Sequence, residues 1–183
     1  MKQAIFAFLF AVALSASSAQ AQTPDIFDAA REDNVKVVQA LIDSKADVNQ
    51  VDEQGYTALI LATYNGSPNV AGLLLQHGAS PEVRDGTGRT ALMGAAFQGD
   101  PQCIKLLLDH GAKVNDADAN GATSLMYAVE FDRKPVIKLL LDAKADPTIQ
   151  DKRGLTALSI AREQGDAEVI KMLATARVKQ SDN

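Results

Sequence analysis

The apolar residues of this chain recur at a fixed step of 33 residues, and each step holds two sets of them. The first set is a leucine followed three residues later by an alanine: Leu59/Ala62, Leu92/Ala95, Leu125/Ala128 and Leu158/Ala161. The second set is a leucine triplet, which occurs at Leu73–Leu75, Leu106–Leu108 and Leu139–Leu141 and weakens to Met172-Leu173-Ala174 in the last step. Residues three or four positions apart share one face of a helix. Each unit is therefore predicted to contain two short helices, each with one apolar face.

The polar residues between these helices repeat with the same step. A motif Asp-x-x-Gly-x-Thr begins at Asp52, Asp85, Asp118 and Asp151. Because aspartate bonds nearby backbone N–H groups and glycine adopts positive φ, the motif predicts a turn. The threonines that end the motif are expected to cap the first helices: Thr57, Thr90, Thr123 and Thr156. A short break precedes each second helix and carries Gly66, Gly99 or Gly165, with Asp132 in the remaining unit.

A fixed period of this size indicates a stacked-repeat solenoid, in which neighbouring units bury one another's apolar faces. The predicted units are 22–51, which lacks the leading turn, then 52–84, 85–117, 118–150 and 151–183. The second helices are predicted at 35–44, 69–77, 101–110, 134–143 and 167–175, followed by a polar tail from Arg177 that is expected to fray. Lys45 and Lys144 occupy the helix-closing position that Gly78 and Gly111 hold in other units.

These residues resemble the ankyrin repeat family. The resemblance rests on Thr57-Ala58-Leu59-x-x-Ala62 and its three later copies, and on Gly78-Ala79 and Gly111-Ala112 at the ends of second helices. It implies an all-α ankyrin-repeat solenoid of helix-turn-helix units joined by β-turn or hairpin loops. The chain departs from the family pattern in having Ile60, Met93, Met126 and Ser159 where the family has histidine. The family's proline is alanine or serine in each copy.

The resemblance further implies a protein partner that is bound through the concave face and the turn tips. The residues predicted to bind it are Tyr56, Tyr64, Asn65, Arg89, Phe97, Gln98, Glu130 and Phe131. Because aromatic and arginine residues carry much of the energy of interfaces, Tyr56, Tyr64, Arg89 and Phe97 are the predicted hot spot. Since Tyr64 and Phe97 are one step apart, they are expected to be neighbours, and Tyr56 and Arg89 likewise. The alternative is that these rings cover the apolar seam of the solenoid.

The first 21 residues have the layout of a secretory signal peptide. Lys2 precedes an apolar run of eleven residues, Ala4–Leu14, and Ala19-Gln20-Ala21 has the small-x-small form of a cleavage site. The run is shorter than the roughly 20 residues of a membrane span, so membrane insertion after cleavage is not expected. The alternative is an apolar helix that is retained. The expected location is the bacterial periplasm, with secretion as the second choice.

Charge and the rare residue types argue against several function classes. A net charge of −5 disfavours nucleic acid and anionic membranes, which need clustered positive charge. Cys103 is the one cysteine and occupies an apolar column with Val37, Val70, Val136 and Val169, so it is interpreted as a core residue. A reactive or intermolecular thiol is the alternative. His77 and His110 are interpreted as helix-terminal residues, because two histidines alone make a poor zinc site.

No cofactor or metal is expected. The stretch beginning Asp116-Ala117-Asp118 resembles a calcium loop, but Tyr127 stands where that loop needs a glutamate. The sequence contains neither a phosphate loop nor a credible pairing of a nucleophile with a base.

The leading interpretation is therefore a non-catalytic, monomeric binding module. By analogy with exported bacterial ankyrin proteins, it could serve as an accessory to a periplasmic stress-defence enzyme. The alternatives are an inhibitor or immunity protein for a toxic enzyme, whose basic surface would suit the acidic charge, and, less favoured, an enzyme.

Overall fold

A computed structural model of the chain describes residues 25–181, with side chains up to residue 176. This part of the chain forms ten α-helices in five consecutive pairs. The first helices of the pairs are α1 (Ile26–Arg31), α3 (Ala58–Asn65), α5 (Ala91–Gln98), α7 (Ser124–Glu130) and α9 (Ala157–Gln164). The second helices are α2 (Val35–Asp43), α4 (Pro68–Gln76), α6 (Pro101–Asp109), α8 (Lys134–Asp142) and α10 (Ala167–Ser181). The predicted all-α arrangement of helix pairs is confirmed.

The core lies between two layers of helices. First helices pack on first helices of neighbouring pairs, second helices pack on second helices, and the two helices of each pair pack on each other. Leucines of both layers are fully buried where the layers meet: Leu59, Leu92 and Leu125 from the first helices, and Leu74, Leu107 and Leu140 from the second. Burying a leucine side chain contributes about 1.5–3 kcal/mol, so the repeated leucines account for much of the driving force.

The Asp-x-x-Gly motif folds into the predicted turn, and the aspartate closes it. In each of the four turns, one carboxylate oxygen accepts the backbone N–H groups two and four residues later, at 2.8–2.9 Å. The turn glycines Gly55, Gly88, Gly121 and Gly154 have φ between 79° and 82°. Within the described residues the turns carry only two isolated β-bridges and no strand, Val51 with Thr57 and Ala117 with Thr123.

Backbone hydrogen bonds stack successive turns on one another. The N–H of Gly86 donates to the carbonyl of Gln54, and that of Ala119 to Thr87. Lys152 and Asn120 repeat the contact at 2.8 Å. The register of the stack is thus fixed at the turn tips as well as in the core.

Three local predictions differ from the structure. Thr57, Thr123 and Thr156 cap their helices through the hydroxyl, but Thr90 does not. The N–H of Met93 instead bonds the main-chain carbonyl of Thr90, at 3.1 Å, in a tighter first turn. The second helices end one residue earlier than predicted, except α10, which extends to Ser181. The sequence predicts a fraying tail from Arg177, but the backbone stays helical to Ser181. The tail contains neither glycine nor proline before Ser181 to end the helix.

Left-handed backbone occurs where the repeat requires it, including at residues other than glycine. Lys45 and Lys144 have φ of 69° and 68° at the position of Gly78 and Gly111, as predicted. Asp33 and Asp132, each with φ of 52°, hold the slot of Gly66 and Gly99. The predicted signal peptide, residues 1–21, lies outside the described residues.

Candidate partner-binding surface

Three aromatic rings form a row across the ends of helices α3, α5 and α7. The ring of Tyr64 stacks on that of Phe97 with 4.7 Å between centroids and 7° between planes. Phe97 in turn meets Phe131 edge to face, at 4.5 Å and 69°. Tyr64 and Phe131 remain 39% and 40% exposed, while Phe97 between them is half-buried. The predicted neighbour relationship of Tyr64 and Phe97 is confirmed.

The geometry of this aromatic row follows from the repeat and from one small residue. Because Tyr64 and Phe97 are one step apart, they extend from equivalent positions on adjacent helices. Gly94 brings the two helices close, since a Cβ there would lie 3.1 Å from Thr63 Oγ1 and 3.4 Å from the backbone nitrogen of Tyr64. Glu130 holds the equivalent position on α7, and Phe131 comes one residue later. One helical residue is a rotation of about 100°, which explains why Phe131 presents an edge contact instead of a stack.

Tyr56, Arg89 and Asp85 form a hydrogen-bonded chain beside the row. Arg89 donates from Nε to Asp85 Oδ2 at 2.9 Å and from Nη2 to Tyr56 Oη at 3.0 Å. The Asp85 side chain is only 2% exposed. Burial alone would raise the pKa of Asp85, but hydrogen bonds from the N–H groups of Arg89 and Thr87, the Thr87 hydroxyl and the Arg89 side chain lower it below its usual value. The expected pairing of Tyr56 with Arg89 is confirmed.

Tyr127, which the sequence reasoning missed, joins the same surface from α7. Its hydroxyl donates to Asp118 Oδ2 at 2.8 Å. Burial, followed by the hydrogen bond and charge of Asp118, raises the pKa of Tyr127 above its usual value. The equivalent positions hold Leu61, Gly94 and Ile160, so the repeat column gave no signal of a polar contact here.

Together these side chains enclose a pocket of about 270 Å³. Six of the eight predicted site residues line it: Tyr56, Tyr64, Arg89, Phe97, Glu130 and Phe131. The other two, Asn65 and Gln98, are exposed outside the lining, and Asn65 Nδ2 donates to the carbonyl of Leu61 at 2.8 Å. Six further lining residues were not predicted to bind the partner: Ile60, Asp85, Thr90, Met93, Gly94 and Tyr127.

A larger groove, of about 820 Å³, lies between α8 and α10. Lys134, Lys138, Lys144 and Lys171 line it, with Leu141 and Met172 among its apolar residues. Lys134 is already paired with Asp166 at 2.8 Å and Glu168 at 3.2 Å. The described residues that line this groove include no aromatic ring, so the candidate surface is placed at the aromatic row.

The remaining candidates have structural roles. His77 and His110 are the C-cap residues of α4 and α6, and His110 Nδ1 lies 2.8 Å from the Leu106 carbonyl. Cys103 is fully buried, and burial, followed by Asp100, raises the pKa of its thiol. Asp118, considered above for calcium, uses one oxygen for its turn and the other for Tyr127. Among residues 25–181, no helix is long and apolar enough to span a bilayer.

Comparisons with known proteins agree with this architecture. The family model described as ankyrin repeats matches residues 10–85, 80–151 and 125–183. The chain is similar to a mitochondrial disaggregase of Bos taurus, 40% identical over 60 residues, which are 33% of this chain and 9% of that protein. It is also similar to the human transient receptor potential cation channel subfamily A member 1, 40% identical over 53 residues, which are 29% of this chain and 5% of the channel. The matched segment is a small part of each relative.

Proposed function

The chain belongs to the ankyrin repeat family, generally a non-enzymatic protein-binding module, and from that premise we propose that it binds its partner through the aromatic row. The proposed contact surface consists of Tyr64, Phe97 and Phe131, with Tyr56 and Arg89 at the adjoining turn tips. The observation that carries the proposal is the exposure of the stacked row. Aromatic residues are enriched in interface cores, and this chain leaves two such rings about two-fifths exposed, at 39% and 40%.

Rigidity adds to the suitability of this surface. Tyr64 stacks on Phe97, and Arg89 is held by both Asp85 and Tyr56. Side chains already fixed in one conformation lose less entropy when a partner binds. The aromatic row and its flanking arginine therefore present a preformed surface.

The test compares capture of partners by the wild-type protein and by the double variant Tyr64→Ala/Phe131→Ala. These two rings are exposed, so their removal opens no cavity in the core. The matched control, Gln76→Ala/Lys105→Ala, removes two exposed side chains from the second helices α4 and α6. Each protein is immobilised and exposed to extract of the source cells, and captured proteins are identified by mass spectrometry.

The proposal expects one stoichiometric partner that wild type and control retain and the double variant loses. Truncating a hot-spot residue typically costs 2 kcal/mol or more, so an affinity loss of about 30-fold or greater is expected. Equal capture by the double variant would contradict the proposal. Thermal unfolding of all three proteins checks that the comparison is between folded molecules.

The biological role proposed for this contact is that of an accessory to a stress-defence enzyme in the bacterial periplasm. It rests on the signal-like residues 1–21 and on the resemblance to exported bacterial ankyrin proteins. The net charge of −5 supports a second candidate role, an inhibitor or immunity protein for a basic toxic enzyme. An activity assay of the captured partner separates the two roles, since an accessory maintains or raises its activity and an inhibitor abolishes it.

A further inference from the structure

The aromatic residues of the folded chain converge on one pocket. The sequence has three tyrosines and no tryptophan, and Tyr56, Tyr64 and Tyr127 all line the pocket of about 270 Å³. Phe97 and Phe131 line it as well. Beyond residue 24, the sequence has no other aromatic residue except Phe27. Five aromatic rings are therefore concentrated in this one pocket.

The size of the pocket suits a single side chain. Pockets for whole small molecules are about 300–1,000 Å³, and this one lies just below that range at about 270 Å³. It also opens beside the exposed rings of Tyr64 and Phe131, where a partner surface would rest. One residue of the partner could insert there while its neighbours cover the row.

The charges of the lining favour a cation over an anion. The lining contains Asp85, Arg89 and Glu130 as charged residues. Asp85 and Arg89 neutralise each other through the ion pair at 2.9 Å. The Glu130 carboxylate makes no ion pair within the described residues, and nearby Arg153 already binds Asp151 at 2.8 Å. The pocket therefore contains one carboxylate that is in no ion pair within the described residues, beside several aromatic rings.

Aromatic faces carry partial negative charge and attract ammonium and guanidinium groups. We propose that this pocket receives an arginine or lysine side chain of the protein partner, held between the aromatic rings with Glu130 as its counter-ion. The proposal deepens the proposed function, because it assumes that the partner rests on the aromatic row. It specifies that the anchoring residue of the partner is cationic. An apolar anchor could fill the same volume but would form no ion pair with Glu130.

Three capped tripeptides test the proposal without the partner: acetyl-Gly-X-Gly-amide with X as arginine, lysine or norleucine. Norleucine matches the aliphatic stem of lysine and lacks the charge. Binding is followed by NMR shifts of Tyr64, Phe97 and Met93, with tyrosine fluorescence as a second readout, since all the tyrosines line the pocket. The arginine and lysine peptides are expected to give saturable shifts that weaken with added salt, and norleucine none.

Two variants separate charge from aromatic character. Glu130→Gln removes the counter-ion, and we expect binding to weaken about 2- to 5-fold, the range of an exposed ion pair. Phe131→Leu keeps an apolar wall but removes a π face, and we expect a loss of about 3- to 10-fold. Glu163→Gln is the matched control, because Glu163 is the exposed equivalent of Glu130 one repeat later and does not line the pocket.

Norleucine binding as tight as lysine would overturn the proposal in favour of an apolar anchor. Absence of shifts with both cationic peptides, or unchanged binding in both pocket variants, would also overturn it. These results would reject the cationic anchor without rejecting the proposed function. Loss of partner capture in Tyr64→Ala/Phe131→Ala with no peptide binding would leave the proposed function standing and reject only the cationic anchor.

Discussion

The carboxylate of Asp33 caps a helix of the next repeat, because its Oδ1 accepts the backbone N–H of Val70 at 2.8 Å. Its Oδ2 accepts the side-chain amide of Asn69 at 2.7 Å. Helix α4 starts after Ser67, whose own side chain makes no cap hydrogen bond. A residue from the terminal helix pair therefore supplies the missing cap and joins that pair to the rest of the stack.

Replacing Asp33 by alanine is expected to lower the free energy of unfolding by about 1–3 kcal/mol, since both the cap and a residue tolerant of positive φ are lost. Asp33→Asn keeps an acceptor oxygen and a side chain suited to φ of 52°, so it should lose clearly less. Urea unfolding of the two variants measures the difference. Equal losses would show that neither the cap nor the tolerance of positive φ, both of which asparagine keeps, contributes to stability.

Gly88 and Gly154 have nearly the same backbone angle but different surroundings, which makes them a matched pair. Their φ values are 81° and 79°. A Cβ at Gly88 would lie 2.8 Å from the backbone nitrogen of Ala119, whereas a Cβ at Gly154, in the last turn, would meet nothing within 4 Å. Gly154→Ala should cost about 1–2 kcal/mol, from the left-handed conformation alone.

Gly88→Ala should cost more, because the added methyl group separates two stacked turns and weakens the bond from Ala119 to Thr87. Urea unfolding of both variants gives the comparison. If the two substitutions cost the same, the close stacking of the turns does not contribute to stability.

Lys144 ends a second helix in the left-handed conformation that glycine adopts in other repeats. Its φ is 68°, against 84° for Gly111. Lys144→Gly is expected to raise the free energy of unfolding by about 0.5–1 kcal/mol by relieving this conformation. The same substitution at Lys105, exposed within helix α6, should lower it by about 1 kcal/mol. Thermal unfolding of the two variants must therefore shift in opposite directions.

The repeat period predicts contacts between equivalent positions and misses contacts that cross columns. Tyr64 and Phe97 could be placed together because the solenoid sets residues 33 apart side by side. Phe131 shares a column with Asn65 and Gln98, not with Phe97. Its contact with Phe97 therefore depends on where the helices end, which the repeat period does not predict. Helix α7 ends one residue early with Asp132 in the glycine slot, and this places Phe131 at the C-cap.

The turn aspartates likewise make some hydrogen bonds that the repeat predicts and others that it does not. One oxygen closes the turn in each repeat and could be inferred from the Asp-x-x-Gly motif. The other oxygen has a different partner in each turn: an ion pair with Arg31 at 3.8 Å for Asp52, and hydrogen bonds from Arg89 for Asp85, Tyr127 for Asp118 and Arg153 for Asp151. Those partners depend on side-chain reach at non-repeating positions, and the sequence alone did not identify Tyr127 among them.

Asp85 is expected to make stability depend on acid pH. Its pKa is lower in the folded state, so its carboxylate contributes stability that is fully present above its unfolded pKa, near 4. That contribution is lost as the pH falls through the folded pKa. Asp85→Asn lacks this carboxylate, so its free energy of unfolding should be lower than that of wild type at pH 7. Because asparagine does not titrate, the difference between the two proteins should shrink below about pH 4.

Urea unfolding at pH 7, 4 and 2.5 measures that margin. Asp109→Asn, an exposed carboxylate at the end of helix α6, controls for the loss of one negative charge. A margin for Asp85→Asn that stays constant over this range would contradict the assignment.

Cys103 is expected to be inert in the folded protein. It is fully buried in the column of Val70 and Val136, also fully buried, and burial followed by Asp100 raises the pKa of its thiol. Because the thiolate is the reactive form, a disulfide-exchange reagent such as Ellman's reagent should label the native protein only as fast as it unfolds. Added urea should raise the labelling rate in parallel with the unfolded fraction.

Cys103→Val tests the same assignment through packing. Valine already fills this position in the neighbouring repeats, and the bond from the backbone N–H of residue 103 to Asp100 Oδ1 is kept. A swap between side chains of similar volume costs less than about 1.5 kcal/mol, so the variant should unfold close to wild type and capture the same partner. Fast labelling of the native thiol, or loss of capture in Cys103→Val with stability unchanged, would instead assign the cysteine a role in binding or redox chemistry.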